Sequence, residues 1–282
     1  MKFVRYGEPG REKPGVLDAD GAIRALDAHL PDIDAATLGS EAWQQLASLD
    51  IQALPKAPPG QRLGPPVGRV GKIVCVGLNY SDHARESGVP VPSEPVLFMK
   101  PASSICGPHD NVEIPRDSQK TDWEVELGLV IGRRAKYVDE ATALQHLAGY
   151  CIVNDVSERE FQLERQGQWD KGKGHDTFAP LGPWLVTPDD IPDPGRLSLW
   201  LEVNGKRFQD GNTQNLVFGV AHLISYISRF MTLQPGDIIS TGTPAGVGLG
   251  LKPPRYLKPG DEMRLGIDGL GTQQQRCVPA GA

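Results

Sequence analysis

Apolar residues along this chain come in short runs that are closed by turn-forming residues. Each run has the length of a buried strand, and the runs lie at residues 72–77, 95–99 and 123–131. In residues 197–203 leucine and valine alternate with other residues, and an Asn204-Gly205 pair follows. This pair is typical of the tight turn of a β-hairpin, so the pattern predicts a second strand beyond it.

Two segments show a helical pattern instead. Residues 139–148 are predicted to form a helix that Asp139 caps, and residues 216–230 a longer one. The longer segment carries an apolar stripe at the helical period, made of Leu216, Val220, Leu223, Ile224 and Ile227. Strands therefore outnumber helices, and the pattern predicts an α+β fold dominated by β-strands.

The first 50 residues have the pattern of a small separate unit. We expect a strand at residues 2–6, a hairpin at residues 15–26 and a helix that starts with Ser40 as its N-cap. Residues 54–71, which follow, are rich in proline and glycine and cannot hold a helix.

This proline-rich segment is interpreted as a connection between domains. The prediction is a small N-terminal α+β domain of residues 1–65 and a larger domain of residues 66–282.

Composition and charge exclude several classes of protein. Glycine (33) and proline (25) make up about a fifth of the 282 residues without a collagen period, which fits a fold with many turns. The net charge is −6 and the sequence has no basic block, so neither nucleic acid nor an anionic membrane is an expected partner.

The N-terminus lacks the apolar stretch of a signal peptide, and a cytoplasmic location is expected. The four cysteines share no short spacing, and three of them lie in or beside apolar runs and are expected to be reduced core thiols.

Acidic residues interrupt the apolar run at residues 123–131. Glu124 and Glu126 are two apart, so on a strand they share one face. A solvent-facing edge strand would carry the same pair, and the pair alone leaves both interpretations open. Asp155 follows the next apolar run and adds a third carboxylate at the end of a neighbouring strand. Three such oxygens suit Mg²⁺ or Mn²⁺.

A second candidate is the pair His83 and Glu86. On a helical turn the two side chains meet, and the carboxylate would raise the basicity of the imidazole for activating water. An exposed ion pair on a loop helix remains the alternative.

Candidate ligands for an anionic substrate follow Asp155. On a helix beginning there, Arg159 and Gln162 would share its face. Arg159 would bind a carboxylate, and Lys173 would stabilise an enolate or alkoxide. The glycine-rich residues 241–250 lack dinucleotide-binding spacing and are interpreted as a loop at a pocket.

Taken together, these motifs resemble the fumarylacetoacetate hydrolase superfamily over about residues 70–278. Five motifs occur in the family's order: Asn79-Tyr80 with His83-x-x-Glu86, Phe98-Met99-Lys100-Pro101, Glu124-x-Glu126, Asn154-Asp155 with Arg159-x-x-Gln162 and Lys173, and Thr241-Gly242-Thr243-Pro244. One departure is His175, which stands where an apolar residue is expected.

The resemblance implies a mixed β-roll, usually a homodimer, that binds Mg²⁺ or Mn²⁺ through Glu124, Glu126 and Asp155. It implies a small 2-oxo acid as substrate. His83 and Glu86 would activate water for attack on a 4-carbonyl, and cleavage of the C3–C4 bond would release pyruvate. Lys173, with Gln162 or Arg159, would steady the oxyanion, and the matched motifs place Tyr80, Lys100, Thr241 and Thr243 among the substrate-binding residues.

Within the superfamily the chain is similar to a bacterial branch with two activities. Its members are ureidoglycolate lyases or hydrolases of sugar acids such as 2,4-diketo-3-deoxy-L-rhamnonate or L-fuconate. Hydrolysis to pyruvate and lactate is expected, because His83 and Glu86 serve water attack. Lyase, oxaloacetate decarboxylase and 2-hydroxy-diene-dioate isomerase activities stay open as alternatives, as does a scaffold without catalysis.

Overall fold

A computed structural model of the chain describes residues 1–86, 88 and 90–281. In this part of the chain the strands are β1 (Lys2–Tyr6), β2 (Lys13–Leu17), β3 (Ile23–Ala25), β4 (Ile73–Gly77), β5 (Val96–Lys100), β6 (Ile105–Cys106), β7 (Val112–Ile114), β8 (Thr121–Asp122), β9 (Val125–Ile131), β10 (Leu147–Asn154), β11 (Ser157–Glu158), β12 (Ala179–Val186), β13 (Ser198–Val203), β14 (Lys206–Asn212), β15 (Ile238–Ser240), β16 (Glu262–Ile267) and β17 (Gly271–Pro279).

Helices are few and mostly short. The α-helices are α1 (Glu41–Gln45), α2 (Ser81–Glu86), α3 (Asp170–Lys173) and α4 (Val220–Phe230), with a π-helical turn at Glu160–Glu164. The 3₁₀ turns are Leu46–Ser48, Ile51–Ala53, Ala102–Ser104, Glu140–His146, Pro188–Asp190, Thr213–Asn215 and Gly248–Gly250. None of the helices described is both long enough and apolar enough to span a bilayer. The fold is therefore α+β and dominated by strands, as predicted.

The main sheet places β9 and β10 side by side near its middle. Its strand order is β3-β2-β1-β12-β10-β9-β15-β4-β5, with β6 paired to β12. Strands β9 and β10 run antiparallel, and Val125 of β9 faces Asn154 of β10. Glu124 and Asp155 flank this pair, so the register alone brings their carboxylates to one end of the two strands.

A second sheet covers one face of β9. It has the order β14-β13-β16-β17-β7. Val125, Leu127 and Leu129 of β9 belong to the same core cluster as Leu199 and Leu265 of this sheet. Because side chains alternate along a strand, the even-numbered residues, Glu126 among them, lie on the other face. Because the odd-numbered face of β9 is buried against the second sheet, the acidic side chains are placed on the opposite face of the strand.

The three N-terminal strands extend the main sheet. Strand β1 pairs with β12, where Phe3 faces Leu185, and β2 and β3 follow outward. Phe3 shares a core cluster with Val67 and Val70 of the proline-rich segment. The division into domains at residue 65 stays a prediction.

Several predicted elements are confirmed. Strand β1 covers the predicted residues, β2 and β3 form the hairpin, and Ser40 Oγ accepts a hydrogen bond from the backbone N–H of Trp43 (3.2 Å) at the start of α1. Strands β13 and β14 form the hairpin around Asn204 and Gly205, both of which have positive φ. All four cysteines are free thiols, and Cys75, Cys151 and Cys277 are buried.

Three helix predictions need correction. The segment 139–148 forms a 3₁₀ turn, Glu140–His146, without a side-chain cap from Asp139, because the chain already pairs as strand β10 from Leu147. No helix begins at Asp155, since Ser157–Glu158 pairs with β8 as a short strand.

The long helix α4 begins at Val220 and not at Leu216. Its buried stripe otherwise matches the prediction. Before it, the side chain of Asn79 accepts a hydrogen bond from the N–H of Phe218 (2.8 Å) and donates one to the carbonyl of Phe218 (3.1 Å), so these backbone groups are bound outside the helix.

Candidate metal centre and active site

Glu124, Glu126 and Asp155 meet in a buried cluster where β9 begins and β10 ends. One carboxylate oxygen from each lies within 4.8 Å of the other two. The backbone N–H of Asp155 also donates to the carbonyl of Glu124 (2.9 Å), which holds the two chain segments together. The predicted geometry is confirmed: Glu124 and Glu126 share a face, and Asp155 lies beside them.

Glu126 is held from the neighbouring strand and the loop after it. Its Oε2 accepts hydrogen bonds from Ser240 Oγ (2.5 Å) and from the backbone N–H of Gly242 (2.9 Å). Burial, together with repulsion from Asp155 and Glu124, raises the pKa of Glu126 well above its usual range. A cation bound nearby would stabilise the ionised form of this carboxyl group.

Three buried cations lie against the other two acids. Lys173 Nζ is 2.8 Å from Glu124 Oε2 and 2.9 Å from Asp155 Oδ2, and Lys100 Nζ is 2.6 Å from Asp155 Oδ1. Arg159 Nη2 is 2.7 Å from Glu124 Oε1. Burial alone would raise the pKa of Glu124, but Lys173 and Arg159 lower it to about 2. Glu124 is therefore ionised at neutral pH.

The same balance keeps Lys173 charged. Burial acts to lower its pKa, but the carboxylates of Asp155 and Glu124 raise it above its usual value. Its ammonium group has three donors, and two of them are used by these acids. One donor is left for a ligand.

The residues present fit a hard divalent cation. The donor set is three clustered carboxylates, and burial together with repulsion from Asp155 and Glu124 raises the pKa of Glu126. Oxygen ligands of this kind are those that Mg²⁺ and Mn²⁺ prefer. The cluster can therefore hold such an ion, as the sequence predicts.

A cavity of about 290 Å³ opens onto this cluster. Its lining includes seven of the residues singled out from the sequence, namely His83, Glu124, Glu126, Arg159, Gln162, Lys173 and Thr243. The described lining does not include Tyr80, Glu86, Lys100, Asp155 or Thr241. The volume lies at the lower end of the range of small-molecule sites, so a small ligand fits.

His83 and Glu86 meet on helix α2, as predicted. His83 Nδ1 lies 3.3 Å from Glu86 Oε2. The Glu86 carboxylate also accepts from the backbone N–H of Gly246, at 3.0 and 3.1 Å to its two oxygens. Glu86 thus orients the imidazole and at the same time joins α2 to the glycine-rich loop across the cavity.

Tyr80 and Thr241 lie beneath the site. Both are fully buried, and neither hydroxyl has a hydrogen-bond partner in the part of the chain that the structure describes. Burial and the nearby Glu126 carboxylate raise the pKa of Tyr80 well above its usual value. Their role in substrate binding stays a prediction.

Lys100 and Arg159 make protein contacts where the sequence predicted contacts to a substrate. Lys100 is fully buried, and its ammonium binds Asp155 and the carbonyl of Val156 (3.0 Å). Arg159 Nε donates to Asp122 (2.8 Å), and its Nη1 donates to Gln162 Oε1 (3.1 Å). These contacts favour orienting roles, and binding of substrate by Lys100 and Arg159 stays a prediction.

Asp122 is a residue that the sequence interpretation missed. Besides Arg159, its carboxylate accepts from the backbone N–H groups of Gly248 (2.7 Å) and Leu249 (2.9 Å). It therefore fixes both a cation of the site and the glycine-rich loop. The available signal was its place two residues before Glu124, which continues the alternation of acids.

His175 does not belong to the described lining of this cavity. Its ring lies between Phe161 and Phe178, with centroids 5.5 and 5.2 Å away, and burial lowers its pKa. The imidazole thus takes the place of an aromatic ring in a packed position next to Lys173.

Comparisons with known proteins find similar sequences and structures. The family model for the fumarylacetoacetate hydrolase C-terminal domain matches residues 72–278. A protein of Burkholderia multivorans that is named only as a hydrolase is 62% identical over 276 residues, which are 98% of either chain.

Two solved structures are similar over the full length. Fumarylacetoacetate hydrolase from Exiguobacterium antarcticum is 36% identical with a TM-score of 0.88, over 99% of both chains. The 5-carboxymethyl-2-hydroxymuconate delta-isomerase from Mycobacterium smegmatis is 35% identical with a TM-score of 0.80, over 100% of both chains. The names of these two proteins cover two kinds of reaction.

Proposed function

The chain belongs to the fumarylacetoacetate hydrolase family, and on that premise we propose that it is a metal-dependent hydrolase that cleaves the C3–C4 bond of a 2,4-diketo acid. The observation that carries the proposal is the single cavity lined by both His83 and the acids Glu124 and Glu126. A base that can activate water and a cation site thus face the same small volume.

In this proposal the nucleophile is a water molecule, which His83 and Glu86 activate. Since Nδ1 faces the Glu86 carboxylate, Nε2 is the ring nitrogen left to take a proton from water. The oxygen of that water bonds to C4, and the C3–C4 bond then breaks, so that C4 leaves as a carboxylic acid. The electron pair of the broken bond stays on C3 as the enolate of pyruvate, and the proton that His83 took from the water returns to C3 to give pyruvate.

Lys173 and Gln162 support the oxygen at C4. Lys173 has one donor beyond those bound to Glu124 and Asp155, and the Gln162 amide lines the cavity. A divalent ion, Mg²⁺ or else Mn²⁺, held by the three acids would supply Lewis-acid stabilisation of the negative charge on the pyruvate half.

The proposed substrates follow from the sequence resemblance. They are 2,4-diketo-3-deoxy-L-rhamnonate or L-fuconate, which would give pyruvate and lactate. The proposed assembly is a homodimer, which light scattering would detect as twice the mass of one chain.

The test is hydrolysis in ¹⁸O-labelled water with Mg²⁺. We expect pyruvate, and one ¹⁸O atom in the carboxylate of the lactate released. Glu126→Ala should reduce turnover more than a hundredfold, whereas Glu8→Ala, a change at an exposed position, should not. Turnover that persists in EDTA would contradict the metal assignment.

An isomerase is the second candidate, because the chain resembles the delta-isomerase over its whole length. Isomerisation moves a proton and consumes no water, so no ¹⁸O enters the product. The label therefore separates the two reactions, whereas His83→Ala does not, because a proton shift also needs a base.

A further inference from the structure

Glu158 is a buried acidic residue that the proposed reaction does not use. It is fully buried on strand β11, opposite Thr121 of β8. It does not belong to the described lining of the cavity. A buried carboxyl group is costly unless hydrogen bonds within the protein replace those to water, so the partners of Glu158 indicate which segments it holds.

The two oxygens of Glu158 bind different segments of the chain. Oε2 accepts hydrogen bonds from Ser118 Oγ, from Thr121 Oγ1 (3.2 Å) and from the backbone N–H of Lys120 (3.1 Å). Oε1 accepts from the backbone N–H of Glu160 (3.0 Å). One carboxylate thus joins the segment that leads into β8 to the start of the π-helical turn.

This π-helical turn carries Gln162, which lines the cavity. The N-cap residue of the turn is Arg159, whose guanidinium has only donors and binds Asp122 (2.8 Å) and Glu124 (2.7 Å) in the site. Because the first N–H groups of a helix need acceptors, another side chain must bind them. Glu158 binds one of these N–H groups in place of the N-cap residue.

The far end of the turn is held by the same segment before β8. Lys120 Nζ binds the carboxylate of Glu164, the last residue of the turn. Helix α3 packs closely against the turn, since a Cβ at Gly172 would lie 2.3 Å from the carbonyl oxygen of Glu158 and 2.5 Å from the backbone nitrogen of Gln162. With α3 on one side, the contacts of Glu158 and Lys120 set the position of Gln162.

We propose that Glu158 is a positioning residue that acts on the reaction through Gln162. The inference rests on the proposed C–C hydrolase activity, in which the Gln162 amide supports the oxygen at C4. Without the bond from the N–H of Glu160 to Glu158, the turn loses its fixed start and the Gln162 amide loses its fixed direction. Arg159 keeps its own contacts to the acids of the site, so the proposed metal ligands should stay in place.

The variant Glu158→Gln keeps the size of the side chain but replaces one accepting oxygen with an NH₂ group, which only donates. We expect kcat to fall about tenfold in the hydrolysis assay with Mg²⁺, while KM changes by less than about twofold. Asp34→Asn is the matched control, because Asp34 is also buried, accepts from the backbone N–H of Ala36 (2.9 Å) and lies outside the described lining. It should leave kcat unchanged, and an equal loss in both variants would overturn the inference.

A double-mutant cycle tests whether Glu158 acts through Gln162. Gln162→Ala should lower kcat about 100-fold, since it removes a donor to the developing oxyanion. In this background Glu158→Gln should lower kcat by less than about twofold more, because the group that Glu158 positions is absent. A further loss of about tenfold, which is the additive result, would overturn the inference.

Hydrogen exchange gives a readout that does not depend on turnover. In Glu158→Gln the backbone amides of residues 160–164 should exchange about tenfold faster than in the wild-type protein, and in Asp34→Asn they should not. Unchanged exchange would overturn the inference. If exchange rises but no diketo acid is cleaved by the wild-type protein, the proposed reaction fails and the contact of Glu158 with the turn stands. If diketo acids are cleaved and Glu158→Gln leaves kcat unchanged, the reaction stands and the inference fails.

Discussion

The buried cations of the site differ in how many donors they have left for a substrate. Lys100 is fully enclosed, and Arg159 is bound on three sides by Asp122, Gln162 and Glu124. Lys173 and Arg159 both line the cavity and keep N–H donors beyond these contacts, whereas Lys100 is not part of the described lining. Residue type and spacing singled out all three, but they could not say which contacts are already made within the protein.

Lys173→Met should abolish the stabilisation of the developing oxyanion while keeping a similar side-chain length. We expect kcat to fall about 100- to 1,000-fold in steady-state assays with Mg²⁺. Lys171→Met on the same helix is the control, since the Lys171 ammonium is exposed and binds only the carbonyl of Arg165 among the described residues. A comparable loss in both variants would indicate damage to helix α3 and not a role for the ammonium.

Asp122→Asn tests a residue that orients others. The amide cannot accept from Arg159 and from two backbone N–H groups as the carboxylate does, so Arg159 and the loop at Gly248 should both lose order. We expect activity to fall about 10- to 100-fold, together with weaker metal binding measured by calorimetry. Asp117→Asn, at an exposed position, should leave both quantities unchanged.

At the scale of elements, Glu86 joins helix α2 to the glycine-rich loop of residues 241–250. The helix was predicted from the spacing of His83 and Glu86, and their contact is confirmed. The bond from the N–H of Gly246 to Glu86 spans 160 positions of sequence, which no local pattern reveals. The same limit explains segment 139–148, where pairing of β10 with β9 ended a helix that local propensity favoured.

Gly250→Ala should disturb the contact between Glu86 and the glycine-rich loop without replacing a group that reacts with the substrate. A Cβ at Gly250 would lie 2.5 to 2.8 Å from the carboxyl end of Glu86, so that carboxylate must move away. We expect kcat to fall about tenfold, because His83 loses its orienting partner, with a smaller change in KM. Gly219→Ala is the matched control, since nothing lies within 4 Å of a Cβ there. Equal kinetics for the two variants would mean that the position of Glu86 does not limit the rate.

At the scale of the whole molecule, polar contacts between the main sheet and the five-stranded sheet support the site. Strand β17 alternates buried and exposed residues, and the buried positions Gln273 and Gln275 are polar. Gln273 Nε2 lies within hydrogen-bonding distance of three main-chain carbonyls, among them that of Ile152 (2.9 Å). Gln275 Oε1 accepts from Asn154 (3.1 Å), the residue before the metal ligand Asp155 in the proposed site. The strands and their two-residue period were readable from the sequence, but the pairing of β17 with the site was not, because it joins residues more than 100 positions apart.

Gln275→Leu separates this polar support from simple burial. Leucine fits an interior position, but it leaves the Asn154 amide and the carbonyl of Pro108 without the partner that Gln275 now provides (3.1 and 2.6 Å). We expect the free energy of unfolding to fall by about 2–4 kcal/mol in urea titrations, since these two groups and Gln273 Oε1 (2.9 Å) each lose a hydrogen bond. Gln274→Leu, at the exposed neighbouring position, should change it by less than about 0.5 kcal/mol. If Gln275→Leu is as stable as the control, the two sheets are held by their apolar core alone, and the position of Asp155 must be set entirely within the main sheet.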